Sequence, residues 1–78
     1  MNKSEQKNLY DISNTLSAAL NQLQRAFDNE TEKLDNIPEN LQGSQLYQSI
    51  ERSSDYLMDA IEALGEAVNC ISLAMERD

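Results

Sequence analysis

The sequence predicts an all-α protein: an antiparallel hairpin of two long helices, completed by a second copy in a dimeric four-helix bundle. Three observations predict it. Apolar residues recur at helical spacing through both halves of the chain. Pro38 and Gly43 interrupt that pattern near the middle. Strand formers are scarce, with no Trp, one Phe and a single Val at position 68.

In the first half, Leu9, Ile12, Leu16, Leu20, Leu23, Phe27, Leu34 and Ile37 step by three, four or seven, with Ala19 and Ala26 filling the same face. Asn2 followed three residues later by Glu5 has the form of a capping box. The first helix is therefore expected over about 4–35. Pro38 has no N–H and biases Ile37 away from helical angles. Gly43 is expected to take a left-handed conformation cheaply, and Ser44 to cap the second helix. Residues 36–44 read as a turn, with one helical turn from Pro38 to Gln42 and with Ile37 and Leu41 plugging the hairpin end.

The second helix is expected over about 45–76. Ile50, Leu57, Leu64 and Ile71 form one row, and Ser54, Ile61, Val68 and Met75 the next. Ser53, Ala60, Ala67 and Ala74 lie between them, flanked by Ser49, Tyr56, Ala63 and Cys70. Such a face spans four columns of the heptad, where a two-stranded seam needs two. A short turn makes the helices antiparallel neighbours. On this reading Leu57, Ile61, Leu64, Val68 and Ile71 cannot all face one partner helix, and they are assigned to a dimer interface. Small alanines at 60, 63, 67 and 74 would let helices approach closely.

Length and composition support self-association. The 78 residues make one domain, of a size that leans on staples or on oligomerisation. With one cysteine and no histidine, neither an intrachain disulfide nor a Cys/His zinc site is available. Fourteen acidic and six basic residues give a net charge of −8. Phosphate backbones are bound by Lys and Arg, and Lys3, Lys7, Arg25, Lys33, Arg52 and Arg77 form no basic face. Neither nucleic acid nor an anionic membrane is an expected ligand. The first seven residues hold no apolar run, so no signal peptide is expected. A lone thiol then points to the cytoplasm.

Candidate chemistry is sparse. From Asp28 to Glu39, oxygen-bearing side chains fall at calcium-loop positions 1, 3, 5, 9 and 12, but Lys33 stands where that loop needs glycine. The stretch reads as an exposed last turn of the first helix. Cys70 has no histidine to activate it and sits at the edge of the apolar face, so a buried, inert thiol is expected. No Gly-rich phosphate loop is present, and no Ser-x-x-x-Asp of the kind carried by small hairpin phosphatases. The chain is therefore read as a non-enzyme without a cofactor. Ser53 and Ser54 break the apolar stripe, either as a solvated pair or as a register-setting polar layer.

Glu51, Asp55, Asp59, Glu62 and Glu66 step by four, four, three and four along one face of the second helix. Di-iron carboxylate bundles add Glu-x-x-His motifs, which a chain without histidine lacks. The stripe is either a solvated face or a docking surface for a basic partner.

The segment Leu34-Asp35-Asn36-Ile37-Pro38-Glu39-Asn40-Leu41-Gln42-Gly43-Ser44, with the later Asp59-Ala60-Ile61-Glu62-Ala63-Leu64, resembles the hinge and second helix of small acidic hairpin proteins encoded by bacterial phages and mobile elements. The likeness covers roughly residues 27–73. It implies a bacterial host cell and a host-facing role, and no activity. A looser architectural likeness is to secreted hairpins of the WXG type, where Tyr47-Gln48-Ser49-Ile50-Glu51 matches a Tyr-x-x-x-Glu pattern. The turn lacks Trp-x-Gly, and the tyrosine opens the second helix rather than coming after it. The expected function is a small protein–protein interaction module that occludes a partner's surface. It would do so through the acidic stripe, as a nucleic-acid mimic or anti-defence factor, or through the apolar face. A purely structural, self-assembling bundle is the alternative.

Overall fold

A computed structural model describes residues 1–76 and is all-helical there. Helix α1 spans Lys3–Asp35 and helix α2 Gln45–Met75, with a single 3-10 turn at Glu39–Leu41 between them. Arg77 lies outside the described residues.

Both helix starts are dictated by the sequence. The Asn2 side chain accepts from the Glu5 backbone N–H at 2.8 Å and donates to the Glu5 carboxylate at 2.7 Å. The first bond satisfies a backbone donor that no preceding turn can reach; the second joins the two side chains and takes the place of the backbone bond that completes a capping box. Ser44 Oγ accepts from the Tyr47 N–H at 3.2 Å and opens α2 in the same manner. At the other end of α1, Asn36 and Ile37 donate to the carbonyls of Glu32 and Leu34. Pro38 then turns the chain out with φ −56° and ψ 147°. The expected left-handed glycine is not used, because neither glycine has a positive φ. The link is closed instead by bonds from Leu41 to Pro38 and from Ser44 to Leu41. Ile37 is half-buried as expected of a plug, but Leu41 points to solvent.

The helices lie side by side. A 33-residue helix is about 50 Å long, so two placed end to end would span about 100 Å. The Cα extents are 60 × 15 × 13 Å, and α1 packs on α2. The half-buried positions trace how they meet. On α1 they include Gln6, Leu9, Ser13, Leu16, Leu20, Leu23, Phe27, Glu30 and Leu34, at alternating steps of three and four. On α2 they include Tyr47, Ile50, Leu57, Ile61, Leu64, Val68, Ile71 and Met75, with the buried Ser54 completing the same rhythm. This is the two-column seam of a coiled coil.

The seam corrects one expectation. Leu57, Ile61, Leu64, Val68 and Ile71 are all half-buried in the single chain. At 3.6 residues per turn they fall within an arc of about 80°, narrow enough to be turned toward one helix. The cover that one helix gives is partial: among the described residues no apolar side chain is fully buried.

Gly65 sits inside α2 with a non-positive φ, and an added Cβ there would meet nothing within 4 Å. Gly65→Ala should therefore stabilise the protein by about 0.5–1 kcal/mol, by restricting the unfolded chain and favouring the helix. Ser44→Ala should destabilise it by about 1 kcal/mol, and Ser44→Gly by only a few tenths. Urea melts monitored by circular dichroism check all three. A destabilised Gly65→Ala would show that a neighbour crowds the helix backbone at this point.

Candidate functional site

Two surfaces flank the seam, and their chemistry is opposite. Glu51, Asp55, Asp59, Glu62 and Glu66 lie on α2; Glu51, Asp55, Asp59, Glu62 and Glu66 are all exposed. Their spacing confines them to an arc of about 80°. Among the described residues no cation is paired with any of the five: Lys33 is bonded to Glu30 at 2.6 Å, and Arg52, exposed beside Glu51, is the one basic residue at the edge of the stripe. Neighbours three or four residues apart along the stripe are like-charged, and each such contact costs roughly 0.2–0.5 kcal/mol of helix stability. The stripe is thus a mild structural burden as well as a concentrated negative field.

The other surface carries charge only at its ends. Its position is fixed by a shallow, open groove of about 600 Å³ between the helices, lined by Ala26, Asn29, Glu30 and Lys33 of α1 and by Ser53, Tyr56 and Leu57 of α2. The groove places Ala26 and Ser53 on one side of the seam. The seven-residue repeat carries that side along each helix. On α1 it runs back through Ala19 to Ile12, and on α2 forward through Ala60 and Ala67 to Ala74. Between Glu5 and Glu30 on α1, and from Leu46 to Ala74 on α2, no charged residue falls on this flank. Tyr56 is 69% exposed on it and Leu46 64%. The opposite flank carries Ser17, Gln24 and Thr31 on α1 and Glu51, Gly65 and Ser72 on α2, with Tyr10 and Met58 as exposed apolar residues among them.

Several expected residues fall elsewhere than the sequence suggests. Cys70 is exposed rather than buried, because it sits two columns outside the seam, beyond Ala67 and Ala74, where a single neighbouring helix does not reach. Of the calcium-like stretch, residues 28–39, positions 28–35 belong to α1 and only the last four lie in the link. Among the described residues, no group of three His, Cys, Asp or Glu side chains could hold a metal, and no helix is long and apolar enough to cross a membrane. The groove residues Asn29, Glu30 and Lys33 were not legible as a site; the Glu30-x-x-Lys33 spacing is the one signal that marks them.

The two serines separate. Ser53 lines the groove in contact with solvent, whereas Ser54 is 5% exposed in the seam. Its Oγ has no hydrogen-bond partner. Thr15 and Thr31 bond back to the carbonyls of Asp11 and Asp28, the usual outlet for a helical hydroxyl. Ser54 lacks that outlet, so the seam contains one desolvated polar group.

Comparison with protein-family models, with curated proteins and with solved structures gives no match. Geometry and charge therefore carry the functional reading.

Removing the orphaned hydroxyl should help stability. Ser54→Ala should raise it by about 1 kcal/mol, because an unsatisfied buried hydroxyl costs about 1–3 kcal/mol and the smaller side chain recovers part of that. A urea midpoint that moves down would mean that Ser54 makes a bond in solution.

Proposed function

We propose that this chain is a small, non-catalytic protein-interaction module. It is an antiparallel helical hairpin that works as a homodimer and occludes a basic surface of a partner protein with the stripe Glu51, Asp55, Asp59, Glu62 and Glu66. The observation that carries the reading is the stripe itself. Its five exposed carboxylates are confined to one arc and, among the described residues, lack a cationic partner, in a chain of net charge −8. A field of that sign and density speeds encounter with a positive surface and repels phosphate.

The antiparallel sense is supported by the side-by-side helices, by a link of only residues 36–44, and by the groove, which sets the last turns of α1 beside the early turns of α2. Homodimerisation is supported by a seam in which no apolar residue is fully buried. The resemblance of the hinge to phage and mobile-element hairpins suggests the cytoplasm of a bacterial host. The density of negative charge on the stripe, in turn, favours a partner whose basic surface normally holds nucleic acid. A second reading gives the docking role to the apolar face, with partner helices replacing the second copy. The exposure of Tyr56 and Leu46 favours it.

Salt and charge reversal separate the two. Exposed charges are screened over about 8–10 Å at physiological ionic strength, so binding through the stripe should weaken steeply from low to physiological salt. Asp55→Lys combined with Asp59→Lys should reduce it by at least about tenfold, with the fold unchanged because both positions are exposed. The check is capture of partner protein from host lysate on immobilised wild type and double variant across a salt series. Retention that ignores both salt and the double variant would sink the stripe reading and leave the apolar one.

A further inference from the structure

We propose that the flank centred on Ala19 and Ala60 is the surface that pairs with the same flank of a second copy, about a two-fold axis perpendicular to the long axis of the rod. This rests on the hairpin and homodimer reading above and specifies the face and the symmetry.

Four observations identify a second copy as the occupant. First, charge: the chain carries −8, so two copies repel wherever carboxylate meets carboxylate. The flank carrying Ala19, Ala26, Ala60 and Ala67 is the long face on which they meet without that cost. A basic partner is drawn to the stripe instead. Second, area: a face of 60 by 15 Å is about 900 Å², against roughly 800 Å² per partner in a stable complex. Third, end complementarity: Lys33 stands at the turn end of this flank with 62% of its side chain exposed, and Glu5 at the open end. A perpendicular two-fold axis sets Lys33 of each copy toward Glu5 of the other. Fourth, size: the position midway between Glu5 and Lys33 is Ala19, and the register that sets Ala26 beside Ser53 in the groove brings Ala60 level with it, seven residues further from the turn along each helix. The smallest side chains therefore lie where the two rods cross, which permits close backbone approach. Leu57, Leu64 and Ile71 lean toward this flank and become fully buried, while Ile61 and Val68 lean away from it toward the opposite flank.

Both acidic stripes stay outside in such a dimer, so each assembly presents two. Dimerisation should tighten or hold steady as salt rises, because screening relieves the mutual repulsion of two acidic copies. Partner docking through the stripe has the opposite salt dependence.

The test is sedimentation equilibrium of the full chain and its variants, with helicity read in parallel. Ala60→Glu and Ala60→Lys should each weaken the dimer by at least about tenfold, since like charges then face one another across the axis. Mixing the two variants should restore a heterodimer. Ala63→Glu, exposed in the single chain and so harmless to the hairpin, should also weaken it. Gln24→Glu, exposed on the opposite flank, should change it less than about twofold. A helical wild type that stays monomeric overturns the proposal. So does a dimer indifferent to Ala63→Glu, or no pairing in the Glu/Lys mixture while both variants remain helical. A monomer that still captures a basic partner in a salt-sensitive manner would remove this interface and the homodimer while leaving the stripe reading intact.

Discussion

Everything in this molecule depends on the contact between two rows of half-buried side chains, one on each helix. Isolated helices gain little in water beyond their own backbone bonds. Here the alternating three- and four-residue steps of Leu9, Ser13, Leu16, Leu20, Leu23 and Phe27 meet the same steps in Leu57, Ile61, Leu64, Val68 and Ile71. The meeting sets the rod shape, and it decides which residues are left outside. A pair of helices, however, encloses nothing. Each seam side chain keeps one side toward water, which is why a chain with 40% hydrophobic residues has no buried apolar residue among those described.

The seam also divides the surface. On one side lie alanines, Ile12 and Tyr56, with charge only at the ends; on the other lie serines, Gln24, Gly65 and, further round, the carboxylate stripe. This segregation reflects where each residue falls in the heptad. The columns beside the seam on one flank hold Ala60, Ala67 and Ala74, and those on the other hold Glu51, Met58 and Ser72. A rod built this way has a face suited to close packing and a face suited to long-range attraction. The two use different physics, so association through one need not disturb the other. Ser54 is the exception within the seam. A hydroxyl desolvated without a partner is costly, and its cost falls in the same turns of α2 that line the groove.

Much of this was legible in the sequence, for reasons that are local. The helix starts at Asn2 and Ser44 were readable because capping needs a particular side chain within three residues of its target. The helix limits near Asp35 and Gln45 were readable because Pro38 disfavours helix continuation on its N-terminal side. What was not readable is non-local. The wide apolar face of α2 looked too broad for one helix, since counting columns does not show how far a side chain leans across a seam. Cys70 looked buried because its column adjoins apolar ones, yet burial there needs a neighbour that α1 does not supply. The groove at Ala26, Glu30 and Tyr56 depends on the axial register of α1 against α2, which no single-helix pattern contains.

The link between the helices has no residue in a left-handed conformation, and its glycine makes no contact that a side chain would spoil. Reversals that depend on one glycine freeze that position in evolution, because every substitution is strained. This one is made from right-handed and extended residues, held by short-range backbone bonds and by the fixed φ of Pro38. Gly43 is therefore under no backbone demand of its own, and a Cβ fits there without displacing a neighbour. The fold is written in the spacing of the seam and in Pro38 and Ser44 of the bend, and Gly43 is the link position whose occupant the pairing of the helices does not read.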